Sequence, residues 1–548
     1  MMSDSFFLWR IKPKTISKRH FVILLILIIA TFALRISGIF WSLPPYDIKD
    51  YHPDEYKIIR GAYKFPQDVL ERDDLRYPTG LHYSIGLLSW PIKEAIQAGG
   101  DESASYTFVH ITGRVISILL GTGTVLLVYL LAKQQYDETH AIISAAMISF
   151  SMYHVLNSTW ATTDVATSFF LTLFFTLLKP AFEKRTPRQA ILLGAVLGML
   201  IGIKYTGAFA LIGLAIYFYL QMESREDKDL INRIRTLLSD RTIWIIGLSA
   251  LVVFLITTPG IWLKFSSFLA SFKWEQSRLA QNELPLYNPQ VWKNMFLSLM
   301  TSIGLPLAIL SCIGLLINFF RPGPFELAGT WLVILYFLFF GDGLIPRYII
   351  MISPLLAVFA SRTLLYFYPW KSRSIRIVNI ALITLVLVQA FIYTLSGAIS
   401  RYPDTRTITY QYITENIPAG SEIGVAYTSL DYDWVYHKWR YPKFDYERYE
   451  HVDFLEYPDY LVVSSYDSKQ IKETLQSGIL FEGYEFPSIY DNRWYRNSPP
   501  SPEIFRFYDQ LYFSDDSPYE LIYDVSPFNP ETPIEFPSPT IEIYKLKE

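Results

Sequence analysis

The sequence predicts a mainly α fold: a polytopic bundle of transmembrane helices that ends in a small extracytoplasmic α/β domain. Hydrophobic residues make up 51% of the chain and aromatic ones 16%, whereas only 18% are charged, a lower share than the roughly quarter typical of soluble domains. The apolar residues gather into long runs, and these runs stop near residue 397. Beyond that point Tyr, Pro, Asp and Glu dominate, and the apolar runs shrink to strand length.

Runs able to cross a bilayer, roughly 20 residues each with some shorter, are expected at 21–41, 109–132, 140–157, 165–179, 190–203, 205–221, 242–259, 293–319, 326–341, 346–366 and 376–397. The first follows Arg10, Lys12, Lys14, Lys18 and Arg19. It is too long for a signal-peptide core and lacks a small-residue cleavage site, so it is expected to be a retained span. The short runs 190–203 and 205–221 are expected to be separate, broken at Gly202-Ile203-Lys204-Tyr205-Thr206-Gly207. With about eleven spans and a cytoplasmic N-terminus, the basic clusters Lys184, Arg185 and Arg188, then Arg225, Lys228, Arg233, Arg235 and Arg241, then Lys371 and Arg373 all fall inside, as the positive-inside bias requires. Fusing the two short runs would turn the last two clusters outward. The domains expected are a cytoplasmic N-terminus at 1–20, a transmembrane domain at 21–397 with a long first outer loop at 42–108, and an extracytoplasmic domain at 398–548.

In the tail, Glu422–Ala426, 460–465 and 540–544 read as strands, and Arg406–Asn416 and Lys469–Ser477 as helices, an alternation that indicates an α/β domain. In the first outer loop, Ile58, Ile59, Ala62 and Phe65 alternate with Lys57, Arg60 and Lys64, the pattern of a helix lying along a membrane surface. The net charge of −3 offers no field for nucleic acid. The single cysteine, Cys312, excludes an intramolecular disulfide and a cysteine metal cluster.

The chemistry-bearing residues collect at the outer boundary. His52-Pro53-Asp54-Glu55 follows the first span, Asp164 stands where the fourth begins, and Arg114, Lys204 and Arg347 interrupt apolar runs. Read from the residues alone, the acidic pair is a solvated loop pair beside a cap formed by His52 and Pro53, Asp164 is a helix cap, and the cations are interfacial anchors or, for Arg347 and Lys204 on the same side as the acidic pair, phosphate binders. No Gly-rich phosphate cradle is present.

His52-Pro53-Asp54-Glu55, Tyr77-Pro78-Thr79-Gly80, Gly113-Arg114-Val115-Ile116-Ser117, Ala161-Thr162-Thr163-Asp164, the Gly202–Gly207 break and Pro346-Arg347-Tyr348 resemble, in order and spacing, the GT-C glycosyltransferases. The branch they resemble holds the protein O-mannosyltransferases and the lipid A aminoarabinose transferase. The resemblance implies inverting transfer of one sugar from a polyprenyl-phosphate donor to an acceptor hydroxyl, of protein, lipid or glycan, at the outer face of a bacterial or archaeal plasma membrane. It implies Asp54 as general base, with Glu55 beside it. Asp164, His52 and Asp47 would bind the acceptor or orient the acid, and Arg347, Lys204 and Arg114 would hold the donor phosphate. Such cations remove the need for a divalent metal, so no cofactor is expected. The alternatives are a lipid or sugar transporter and a GT-C subunit without activity. Against transport, the charges collect at one face and no inverted halves are visible.

Overall fold

A computed structural model describes residues 17–41, 43, 52–223, 239–279, 288–366, 372–426, 448–477, 502–528 and 539–547. Among these, six helices are long and apolar enough to cross a membrane: Lys18–Ile36, Glu102–Gln135, Thr163–Lys184, Pro324–Gly343, Pro346–Leu364 and Arg373–Ile399. Pro187–Ile203, Tyr205–Gln221 and Arg241–Thr257 are apolar but shorter. Every run expected to span thus falls on helix, with two departures. The run 293–319 is two helices, Pro289–Ile303 and Leu305–Phe320, bent by 118°. Gly304 makes the corner at φ +86°, a conformation that side chains with a Cβ resist. The run 140–157 is likewise divided, into Glu138–Ser149 and Met152–Asn157. The break expected at 202–207 is present: the helix Pro187–Ile203 ends at Lys204, in an extended conformation, and a 3-10 turn, Tyr205–Phe209, follows.

Small residues set the tightest helix contact. Gly194, Gly198 and Gly202 recur every fourth residue along one face of Pro187–Ile203, where added Cβ atoms would strike Ile246 O, Ala250 O and Thr257 Oγ1 of the helix Arg241–Thr257. In lipid, which gives apolar side chains no reason to prefer each other, such close backbone approach is what holds helices together.

The helix Glu102–Gln135, capped by the Asp101 side chain on Ala104 N–H, has 34 residues. At about 1.5 Å per residue it runs about 50 Å, well beyond a hydrocarbon core of about 30 Å. Its first turns stand beside the helices of the first loop. The helix in that loop, Pro53–Tyr63, does not lie along a membrane surface as its pattern suggests. Its apolar face, Ile58, Ile59 and Ala62, is buried among Leu81, Ile85, Val109, Ala161, Ala166 and Ile203. A second loop helix, Gly80–Ala98, instead presents Leu87, Leu88, Trp90 and Ile92 outward. Its internal Pro91 obscures it in the sequence.

The C-terminal domain holds a five-stranded sheet ordered β2-β1-β3-β5-β4, where β1 is Glu422–Ala426, β2 Glu450–Val452, β3 Tyr460–Ser464, β4 Tyr519–Val525 and β5 Ile541–Leu546. β1 runs parallel to β2 and β3, and β5 antiparallel to β3 and β4, with Ile423 opposite Tyr460 and Leu461 opposite Tyr544. Side chains alternate faces with period two. Ile423, Val425, Val462, Ile541 and Ile543 pack with Ile413 and Ile417, from the helix Thr405–Asn416 and the residue after it. Ala426, Leu461, Val463 and Tyr544 pack with Ile471, Phe505, Tyr508 and Leu511 of the helices Ser465–Ser477 and Pro502–Phe513.

Candidate active site

The first-loop helix begins at His52, whose side chain is its N-cap: Nδ1 accepts the N–H groups of Asp54, at 3.2 Å, and Glu55, at 3.3 Å. That role requires a neutral ring nitrogen. Burial pushes the His52 imidazole down to about 4, against the raising effect of Asp54 and Glu55. Pro53 at the first helical position suits the local geometry. The cap fixes the helix start, and one residue of helical rotation sends the two acids in different directions.

Glu55 points inward and is wholly buried. Its carboxylate accepts Arg114 Nε at 2.9 Å and Nη2 at 2.8 Å, and Ala161 N at 2.8 Å, with His110 Nε2 at 3.2 Å. Burial alone would raise this carboxyl, but Arg114 and His110 hold it well below the usual range. Arg114, also fully buried, donates its Nη1 to Ile39 O, at 2.8 Å, and Trp41 O, at 2.7 Å. The guanidinium is thus spent on internal partners, and the pair ties the first loop to the first and second spans.

Asp54 turns the other way, toward a partly open space, with 16% of its side chain exposed. Arg347 Nη1 lies 2.5 Å from Oδ2, and Tyr77 Oη donates to Oδ1 at 3.2 Å. Burial opposes ionisation, yet Arg347, with His52 and Lys57, outweighs it and holds the carboxyl below its usual range. The Asp54 charge, followed by burial, pushes the Tyr77 phenol well above its ordinary value, which keeps it a donor.

A second acid and cation stand alongside. Lys204 Nζ is 2.6 Å from Asp164 Oδ1, and the Tyr348 ring lies under both Lys204, at 4.9 Å, and Arg347, at 5.6 Å from ring centre. Thr162 occupies the N-cap position of the helix Thr163–Lys184 without a side-chain bond to it, and Asp164 sits in the first turn, where the helix dipole favours an anion. Lys204 reaches the site because the chain breaks there. Asp54, Arg347, Tyr77, Tyr348, Lys204 and Asp164 therefore form one polar patch, with His52 behind it and Glu55–Arg114 deeper still.

The structure brings together seven of the eight residues singled out in the sequence. Asp47 lies outside the described residues. Tyr77 and Tyr348 stand inside motifs visible in the sequence, and His110 is one helical turn before Arg114, but neither spacing nor composition marks them. Among the described residues no three His, Cys, Asp or Glu side chains gather as a metal-ligand set.

The patch can bind an anion between two cations and hold a carboxylate against it. Residues 107–262 match the family model described as dolichyl-phosphate-mannose-protein mannosyltransferase. The crystal structure of the Archaeoglobus fulgidus oligosaccharyltransferase in the apo form is similar to this chain at 14% identity, over 96% of this chain and 88% of that one, with a TM-score of 0.51. The same enzyme tethered to an acceptor peptide containing the NVT sequon matches at 12% identity, over 97% and 89%, with a TM-score of 0.50. ArnT from Cupriavidus metallidurans bound to undecaprenyl phosphate matches at 13% identity, over 86% and 96%, with a TM-score of 0.46. No curated protein matches. At these identities the likeness to the oligosaccharyltransferase is one of fold. Residues 107–262 are thus similar to a mannosyltransferase family, and the chain as a whole shares the fold of the oligosaccharyltransferase.

Proposed function

We propose that the chain moves one sugar from a polyprenyl-phosphate donor to an acceptor hydroxyl, with inversion, at the extracytoplasmic face of a bacterial or archaeal plasma membrane. The observation that carries this is the pairing of Asp54 with Arg347 beside Lys204 and Asp164 around one tyrosine ring. The donor phosphate binds between Arg347 and Lys204. The acceptor oxygen attacks the anomeric carbon opposite the phosphate while Asp54 takes the hydroxyl proton, and the bond from that carbon to the phosphate oxygen breaks. The two cations neutralise the departing polyprenyl phosphate, so transfer proceeds without a divalent metal.

Donor and base are coupled through Arg347. As long as Arg347 holds Asp54, the carboxylate is a weak base. A phosphate that draws Arg347 away removes the main influence lowering the Asp54 pKa, which raises its basicity as substrate arrives. Glu55 and Arg114 hold the first loop in place, His52 aims Asp54, and Asp164 orients Lys204 or the acceptor.

The test is sugar transfer by purified protein from a polyprenyl-phosphate mannose, with Asp54→Asn beside the wild type. Wild-type transfer that falls by at least about 10³-fold in Asp54→Asn, with donor binding kept, is expected. Undiminished transfer by Asp54→Asn would sink the assignment of the base.

A further inference from the structure

We propose that Arg401, in the link between the last span and the C-terminal domain, is a positioning residue for Asp54 and acts through Trp160 and the His52 cap. This rests on the assignment of Asp54 as base. It gives the junction with the C-terminal domain a part in catalysis.

The residues form a continuous packed column. Arg401 lies just beyond the helix Arg373–Ile399 and before Thr405–Asn416. It is buried, with its guanidinium 5.2 Å from the Trp41 ring centre and 5.4 Å from that of Trp160. Nη1 donates to Thr159 Oγ1 at 2.9 Å and Nη2 to Leu156 O at 2.5 Å. Trp41 returns a bond, Nε1 to Arg401 O at 2.6 Å. The two indole ring centres lie 5.6 Å apart, and the His52 and Trp160 ring centres 4.4 Å apart in an edge-to-face arrangement. Ala161, the next residue, gives its N–H to Glu55.

The far end of the column is anchored in the C-terminal domain. Arg406 lies 5.3 Å from the Trp41 ring, Phe528 N–H donates to Tyr402 O, and Thr405 Oγ1 donates to Pro539 O. Gly38 makes room, since a Cβ there would stand 2.5 Å from Arg401 Nη1. A planar cation set against both indoles, with Nη1 and Nη2 fixed by Thr159 and Leu156, holds the two rings at one angle. The Trp160 ring in turn limits how far the His52 ring can swing. The Asp54 and Glu55 amides depend on that ring, so the column sets where the first turn of the helix, and with it the Asp54 carboxylate, sits relative to Arg347.

The full chain in detergent tests this by two readouts, sugar transfer and hydrogen exchange at the Asp54 and Glu55 amides. Arg401→Leu is expected to lower kcat on the order of 10- to 100-fold, with the donor KM within about twofold, and to speed exchange at those amides on the order of tenfold. Combined with His52→Ala it should lose no more than about threefold beyond the weaker single variant, whereas independent effects would multiply. Multiplied losses, a raised KM with unchanged kcat, or unchanged exchange at Asp54 and Glu55 would overturn the proposal. Should Arg401→Leu not fold, Arg401→Lys is read by the same measurements; it keeps the charge and loses the fork to Thr159 and Leu156, so smaller but still non-additive effects are expected. If wild-type protein transfers no sugar, the assignment of the base fails, while exchange at the two amides still decides the coupling.

Discussion

Replacing Glu55 by Gln, and Asp54 by Asn, should separate two adjacent carboxylates that the sequence cannot tell apart. Every partner of Glu55 is a donor: two nitrogens of Arg114, the Ala161 amide and His110. A glutamine there turns an amide NH₂ toward other N–H groups and leaves a fully buried guanidinium without its counter-charge. Breaking such a pair costs about 3–5 kcal/mol. Asp54 and Arg347 each keep 16% of their side chains exposed, so water takes up part of the lost charge pair and its removal should cost less than breaking the wholly buried Glu55 pair. Thermal unfolding of the purified protein in detergent, paired with the transfer assay, reads both. Glu55→Gln should melt lower by about 3–4 °C, with the loss partly recovered in Glu55→Gln with Arg114→Gln. Asp54→Asn should melt near the wild type and be inactive. A Glu55→Gln protein as stable as the wild type but inactive would make Glu55 the reacting acid and refute the division of roles.

The His52 cap predicts a pH dependence. Its imidazole is lowered from 6.5 to about 4, so protons bind the unfolded chain more readily than the folded one. The stability that depends on the buried, neutral ring is present above pH 6.5 and lost as the pH falls through 4, up to about 3 kcal/mol. His52→Asn keeps a capping side chain and should flatten that part of the stability profile; an unchanged profile contradicts the cap's role. Gly198→Val should push the helices Pro187–Ile203 and Arg241–Thr257 apart and lower the melting temperature by the equivalent of about 1–3 kcal/mol, and an unaffected melting temperature would refute the close contact. Transfer should persist in chelator, and activity lost to chelation and restored by Mg²⁺ or Mn²⁺ would contradict charge neutralisation by Arg347 and Lys204 alone.

Much of the architecture is legible because lipid imposes a simple rule. Long apolar runs become helices, and the short apolar runs around Ile423, Val462 and Ile543 become strands. The broken run at Gly304 was not, since one glycine within an apolar stretch does not declare a positive φ. The first-loop helix was foreseen, but the surface it faces was not. An amphipathic pattern states which side is apolar and not whether lipid or protein covers it; here Leu81, Ile85 and Val109 do.

The site divides in the same way. Asp54, Glu55, Asp164, Lys204 and Arg347 stand out as charges at apolar boundaries. Their pairings join residues as far apart as Asp54 and Arg347, and a sequence shows no such distances. Trp41, Trp160 and Arg401 carried no local signal at all, because tryptophan at a membrane edge and arginine after a span are ordinary. Only their packing against one another sets them apart.

The central claim is that a polyprenyl-phosphate donor sits between Arg347 and Lys204 with Asp54 released to the acceptor. A density map of the protein with bound polyprenyl-phosphate sugar tests it most directly. The phosphate is expected within hydrogen-bond reach of Arg347 and Lys204, with Asp54 no longer paired to Arg347 and facing the anomeric carbon. A phosphate bound elsewhere, with the Asp54–Arg347 pair intact, would contradict the account.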